Sequence, residues 1–215
     1  MTEYSNEVRH DLHIIAEAFL LFLALSFGIL GLFGIFWWDS TLRVPFGEAS
    51  PTEFLQTSSL IVTTALYFRE ALRRPDMGRA LVLVGGLFGC MLIREQDHFL
   101  DPISHGCWKW PAFALAAACI LHALRRPAET LSQLARFVRW RWFPILLVGV
   151  VIVLAYSRLF GMSMLWHSML SADCWRLAKT AMEESSELLG YMLIMFSALL
   201  QSWEYRHRDH LSECK

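Results

Sequence analysis

Very little separates the positive and negative charge of this chain: 19 Lys and Arg stand against 20 Asp and Glu, and charged residues make up only 18% of it. A near-neutral chain that is 55% hydrophobic lacks the basic surplus that nucleic-acid binding requires. It also lacks the polar excess of a disordered segment. No internal repeat or low-complexity tract is present, which removes solenoids and linkers from consideration. The 5 cysteines include no CxxC, so quinone-linked thiol chemistry has no support. A rhomboid-type Gly-x-Ser-Gly, a lipid-phosphatase signature and a specific Schiff-base lysine arrangement are absent as well. The first apolar stretch is too long for a signal-peptide core and is followed by no small-x-small cleavage site, so it reads as a retained helix.

Apolar length is what the sequence does have. Stretches near Ile14–Trp38, Thr52–Phe68, Arg79–Ile93, Pro111–Leu124, Phe143–Phe160 and Trp175–Trp203 approach or exceed the roughly 20 residues a membrane span needs. They predict one all-α membrane domain over residues 1–215, a bundle of six transmembrane helices. All 9 tryptophans fall at the ends of these segments or in adjoining loops, as in an interfacial aromatic belt. Arg9, four arginines at 69–79, five at 125–141, and Arg206, Arg208 and Lys215 place thirteen of the 19 basic residues on one side. The positive-inside rule makes that side cytoplasmic, with both termini inside a plasma-membrane protein. Thr130–Trp142 groups Leu131, Leu134, Phe137, Val138 and Trp142 opposite arginines. It reads either as a helix lying along the inner surface or as a cytoplasmic extension of the fifth span. Cys107 and Cys174 fall in outward loops, where an oxidising compartment would allow a disulfide.

Topology gathers the polar residues at the outer end. Glu53 opens the second helix there, Arg94, Glu95, Asp97, His98 and Asp101 close the third, and Glu183, Glu184 and Glu187 lie in the outer part of the sixth. With about 1.5 Å of rise per residue, Glu95 and Glu187 each stand about 24 Å above the inner interface, level with one another and inside a core roughly 30 Å thick. Glu95-x-x-His98 and Glu184-x-x-Glu187 are i,i+3 pairs on one helix face, the pattern by which helical bundles build di-metal sites. Glu183 and Glu187 form a like-charge i,i+4 pair that asks for a cation or a shared proton. Set against Arg94, Arg176 and Lys179, the seven carboxylates of this end leave four unmatched.

Quieter roles compete with these. Ser50-Pro51-Thr52-Glu53 is a capping box, Lys179 and Glu183 can neutralise each other, and Arg94 suits a structural bridge to the last helix. Gln56, Thr57, Ser58 and Ser59 suit hydrogen-bonded helix contacts. Ceramidase-type and progestin-receptor-like membrane hydrolases also combine Ser, Asp and His in a helical bundle. Their last helix is expected to carry two metal-binding histidines where this chain has glutamates, so the likeness stops there. The residues favour a metal-dependent membrane enzyme, a hydrolase or a di-metal oxidoreductase, acting on a lipid or lipid-linked substrate. Glu95, His98, Glu184 and Glu187 would hold zinc, iron or manganese, Glu53 or Glu183 would serve as further ligand or general base, and Arg94 would hold an anionic substrate group. Two other classes fit the same pattern: a non-catalytic subunit or assembly factor working in a homo- or hetero-oligomer, and a cation or proton transport protein.

Overall fold

The computed structural model describes residues 2–41, 50–97, 106–170 and 174–213, and all its regular elements are helical. They are α1 (Thr2–Ser40), α2 (Pro51–Arg73), α3 (Gly78–Glu95), α4 (Lys109–Leu124), α5 (Pro127–Val138), α6 (Phe143–Phe160), α7 (Ser163–Met169) and α8 (Trp175–Glu213). The chain divides into two compact units, Met1–Pro45 and Phe46–Lys215. The first is α1, where His13 pairs with Glu17 one turn on at 3.2 Å.

Two helical segments, Asp11–Ser40 and Phe143–Phe160, are long and apolar enough to cross a membrane, and α4 is apolar but shorter. They support membrane association. The six-span expectation is not confirmed: α2 and α8 are diluted by Ser, Thr, Gln and Glu, and α3 carries Arg79, Arg94 and Glu95, so only two helices are apolar throughout a membrane-spanning length among the described residues. α5 is a helix in its own right, separated from α6 by the turn at Arg139–Trp142, so it is not an extension of the fifth segment. Cys107 and Cys174 are free thiols in this structure, with no disulfide between them.

Local signals explain most of the helix ends. Ser50 Oγ accepts the Glu53 N–H at 3.2 Å, with Pro51 in the first turn of α2. The N-terminus of α3 has no cap of its own and borrows one: Gln133 of α5 accepts from the Arg79 and Ala80 N–H groups at 2.9 and 3.2 Å. Arg79 then binds the His122 carbonyl at 2.9 Å and Glu129 at 3.3 Å, tying α3, α4 and α5 together. Hydrogen bonding from Arg126 holds the exposed Glu129 carboxyl below the usual carboxylate range. Losing a cap costs about 0.5–2 kcal/mol, so Gln133→Ala should destabilise by roughly 1 kcal/mol or more in thermal unfolding. Gln133→Glu, which keeps an acceptor, should retain most of that stability.

The second unit packs by close approach. A Cβ on Gly86 would meet Cys119 Sγ, and one on Gly89 would meet Leu115, so α4 rests against the glycine face of α3. A Cβ on Gly149 would lie 2.8 Å from the Gly190 carbonyl oxygen; α6 and α8 therefore cross almost backbone to backbone. The hydrophobic core of this unit runs through Leu60 of α2, Leu81 and Phe88 of α3, Leu146 and Val153 of α6, and Ile194 of α8. Just past that crossing, residues Ile152–Tyr156 form one π-helical turn inside α6. Such an insertion rotates everything after it, and it is frequent where a helix must present side chains to a site.

Candidate functional site

The π turn is followed by Ser157 and Arg158, and both face α8. Arg158 is paired through one guanidinium nitrogen with Glu187 Oε1 and through the other with Glu183 Oε1 at 3.2 Å. Ser157 is fully buried; its hydroxyl donates to the Val153 carbonyl at 2.7 Å and lies 3.3 Å from Glu187 Oε1. Gly161 lets this end of α6 come close, since a Cβ there would sit 2.8 Å from the Glu183 carboxylate. Lys179 completes the ion pairs of Glu183 at 3.4 Å, the i,i+4 contact its spacing predicted.

A second arm of the same network comes from α3. Arg94 is paired with Glu95 and stands 4.0 Å from Glu187 Oε2. Tyr191 of α8, fully buried, donates to Glu95 Oε1 at 2.6 Å and accepts from Arg94 at 3.3 Å. A third arm comes from α2, where the Gln56 amide donates to Glu184 Oε2 at 3.0 Å and to the Glu184 carbonyl at 3.1 Å. Thr57 accepts from Gln96 at 3.2 Å. Four helices thus meet at one polar centre, and the Glu187 side chain is only 6% exposed within it.

The chain matches no known protein family, curated protein or solved structure. Its chemistry must be argued from these residues.

Of the residues singled out in the sequence, Arg94, Glu95, Glu183, Glu184 and Glu187 come together. Glu183 and Glu184 diverge around α8: the first turns to α6 and the second to α2. Glu53 lies in the first turn of α2, one turn before Gln56. His98 and Asp101 lie outside the described residues. Among the described residues, no three His, Cys, Asp or Glu side chains stand in a metal-holding group; Glu95 and Glu187 are engaged by arginines instead. Glu187 has no basic residue at helical spacing on α8, yet it has two basic neighbours from other helices.

Arg158, Ser157 and Tyr191 are the members that the sequence reading did not single out. A signal for Arg158 existed, since it is the one charged residue of Phe143–Phe160, and a charge in an otherwise apolar span is a site candidate by default. Tyr191 stands four residues after Glu187 and seven after Glu184, on the same face of α8. The π turn, which aims Arg158 and Ser157, leaves no mark in the residue pattern.

Proposed function

We propose that this is a multi-pass membrane protein with six spans and cytoplasmic termini, and that the centre joining α2, α3, α6 and α8 is the working site of a metal-dependent membrane enzyme acting on a lipid or lipid-linked substrate. The multi-span reading is supported by an inverted burial pattern. On α2, Phe54, Ile61 and Leu72 are exposed while Thr52, Gln56, Ser59, Thr63 and Glu70 are buried. On α4 and α6, Trp110, Phe113, Leu121, Val148 and Leu154 are likewise exposed. A polar interior with an apolar exterior suits lipid rather than water as the solvent.

The observation that carries the enzyme reading is charge. Among the described residues, the four carboxylates of Glu95, Glu183, Glu184 and Glu187 share three cationic partners, Arg94, Arg158 and Lys179. Charge held away from water must be paired, and one divalent cation, zinc, iron or manganese, supplies what is missing. Glu184, whose side-chain partner is a neutral amide, is the first carboxylate available to it. Glu95 and Glu187 would join by exchanging their arginines, with His98 three residues on from Glu95 in the sequence. Arg94 and Arg158, 35% and 46% exposed, are then freed for an anionic group of the substrate. The metal would act as a Lewis acid on a carbonyl or phosphoryl oxygen.

The test is elemental analysis of the protein purified in detergent, beside Glu184→Gln and His98→Ala. One or two equivalents of one metal in the wild type, lost in both variants while they remain folded, is the expected result. Metal at background in all three overturns the enzyme reading and leaves a structural ionic network.

A further inference from the structure

The arginine-rich end of the second unit holds a cavity that takes no part in the ionic centre. α2 ends there, the turn at Arg74–Met77 reverses the chain into α3, and α4 ends beside them. The cavity has a volume of about 320 Å³ and is lined by Phe68 and Leu72 of α2, Gly78, Arg79 and Val82 of α3, and His122 of α4. Small-molecule sites begin at about that size, roughly 300 Å³.

Local packing explains why the space is there. Gly78 has no side chain to fill it, and a Cβ there would stand 3.0 Å from the Ala71 carbonyl oxygen. α2 and α3 therefore touch backbone to backbone at the turn. Further along, α4 rests directly on α3 at Gly86 and Gly89. At Arg79 the two helices are linked instead by a whole side chain, whose Nη1 donates to the His122 carbonyl at 2.9 Å.

The lining is polar at one end only. Val82 lies one turn further into α3 than Arg79, and Phe68 one turn before Leu72 on α2, so an apolar wall extends roughly 5 Å inward from a basic mouth. Leu72 is 87% exposed beside that mouth. A guanidinium carries five N–H donors. Arg79 directs Nη1 at the His122 carbonyl and Nε at Glu129, which leaves donors for the oxygens of an external anion. Arg69, Arg73, Arg74, Arg79, Arg125 and Arg126 outnumber Glu70, Asp76 and Glu129 at this end. Each of those carboxylates is already held by an arginine, so the surplus is positive.

We propose that this cavity holds one anionic glycerophospholipid, with its phosphate at Arg79 and His122 and the start of an acyl chain along Phe68, Leu72 and Val82. The planar fork of arginine suits phosphate oxygens, and an imidazole N–H supplies one more donor. The surplus of arginines favours a headgroup of net negative charge and opposes the choline cation of a zwitterionic one. A water-soluble phosphate ester would leave the apolar wall unused. Basic pockets between helices at the cytoplasmic side recognise anionic lipids in this way. The site rests on the multi-span part of the reading above. It is separate from the ionic centre, because sixteen residues of α3 put Glu95 about 24 Å from Arg79.

The test mixes the full chain in detergent with phosphatidylglycerol and phosphatidylcholine of matched acyl chains and counts retained lipid by native mass spectrometry. One phosphatidylglycerol per chain, retained in preference to phosphatidylcholine, is the expected result. Arg79→Gln should lower that retention about fivefold or more, the loss of one basic contact with an anionic headgroup. Val82→Phe, which fills the apolar wall and leaves Arg79 in place, should lower it as far. Arg139→Gln, which removes an exposed charge outside the cavity, should leave it unchanged. Circular dichroism reads the folding of each variant, and Val82→Phe decides alone where Arg79→Gln does not fold. Flotation of the wild type with vesicles reports the membrane reading separately. A floating chain that retains the two lipids equally overturns the site, as does a folded Val82→Phe chain that retains phosphatidylglycerol like the wild type.

Discussion

Arg158→Ala should cost about 2–3 kcal/mol of stability, and adding Glu187→Gln to it should recover more than half of that loss. Removing one partner of a buried ion pair typically costs about 3–5 kcal/mol, because the other charge is stranded away from water. Glu187 is 6% exposed and Arg158 46%, and Arg94 remains at 4.0 Å, so the loss falls at or just below the bottom of that range. Glutamine keeps acceptor and donor capacity for Ser157 and Arg94 without the charge. Thermal unfolding in detergent of the four members of this double-mutant cycle reads the coupling directly. A loss below about 0.5 kcal/mol for Arg158→Ala would class the pair with ordinary surface contacts and remove it from the centre.

The crossing of α6 and α8 carries the second large effect. Gly190→Ala should destabilise by about 2–3 kcal/mol, the upper part of the usual range for overpacking. The new methyl would meet the Gly149 carbonyl oxygen at 2.9 Å and Val153 more closely still. Backbone cannot rotate aside as a side chain can. Because the π turn begins three residues after Gly149, parting the helices there also withdraws Arg158 and Ser157 from Glu187. The expected signature is a loss of stability that is not additive with Arg158→Ala, since the first change already breaks the second contact. Full additivity in unfolding measurements would show that the crossing and the ionic centre are uncoupled.

Helix existence was legible because apolar runs and capping residues are local signals. The segment around Phe143–Phe160 and the start of α2 at Pro51, with Ser50 as its cap, follow from them directly. The ends of α1 and α8 run past the apolar stretches, because polar residues continue a helix without any change of hydropathy. The cluster of carboxylates and arginines was legible for a different reason. Charges are so costly in an apolar span that Arg94, Glu95 and the α8 glutamates stand out against their neighbours. Their partners were less visible, since pairing depends on rotation about the helix axis. That is how Glu184 comes to bind Gln56 while Glu183, about 100° away, binds Arg158. Gln56 looked like helix contact material and turned out to be the arm of α2 in the centre. The polar stripe from Ser59 to Glu70 stayed hidden because Ser59 and Thr63 are unremarkable in a helix, and only their burial sets them apart.

The most direct measurement of the central claim is X-ray absorption at the edge of any metal found to copurify with the chain. The account expects an oxygen and nitrogen first shell at about 2.0–2.2 Å, with the histidine contribution lost in His98→Ala and the oxygen shell depleted in Glu184→Gln. A shell containing sulfur at about 2.3 Å would place the metal on cysteines, and a spectrum unchanged by both substitutions would place it elsewhere. Either result would contradict a carboxylate–histidine centre at the junction of α2, α3, α6 and α8.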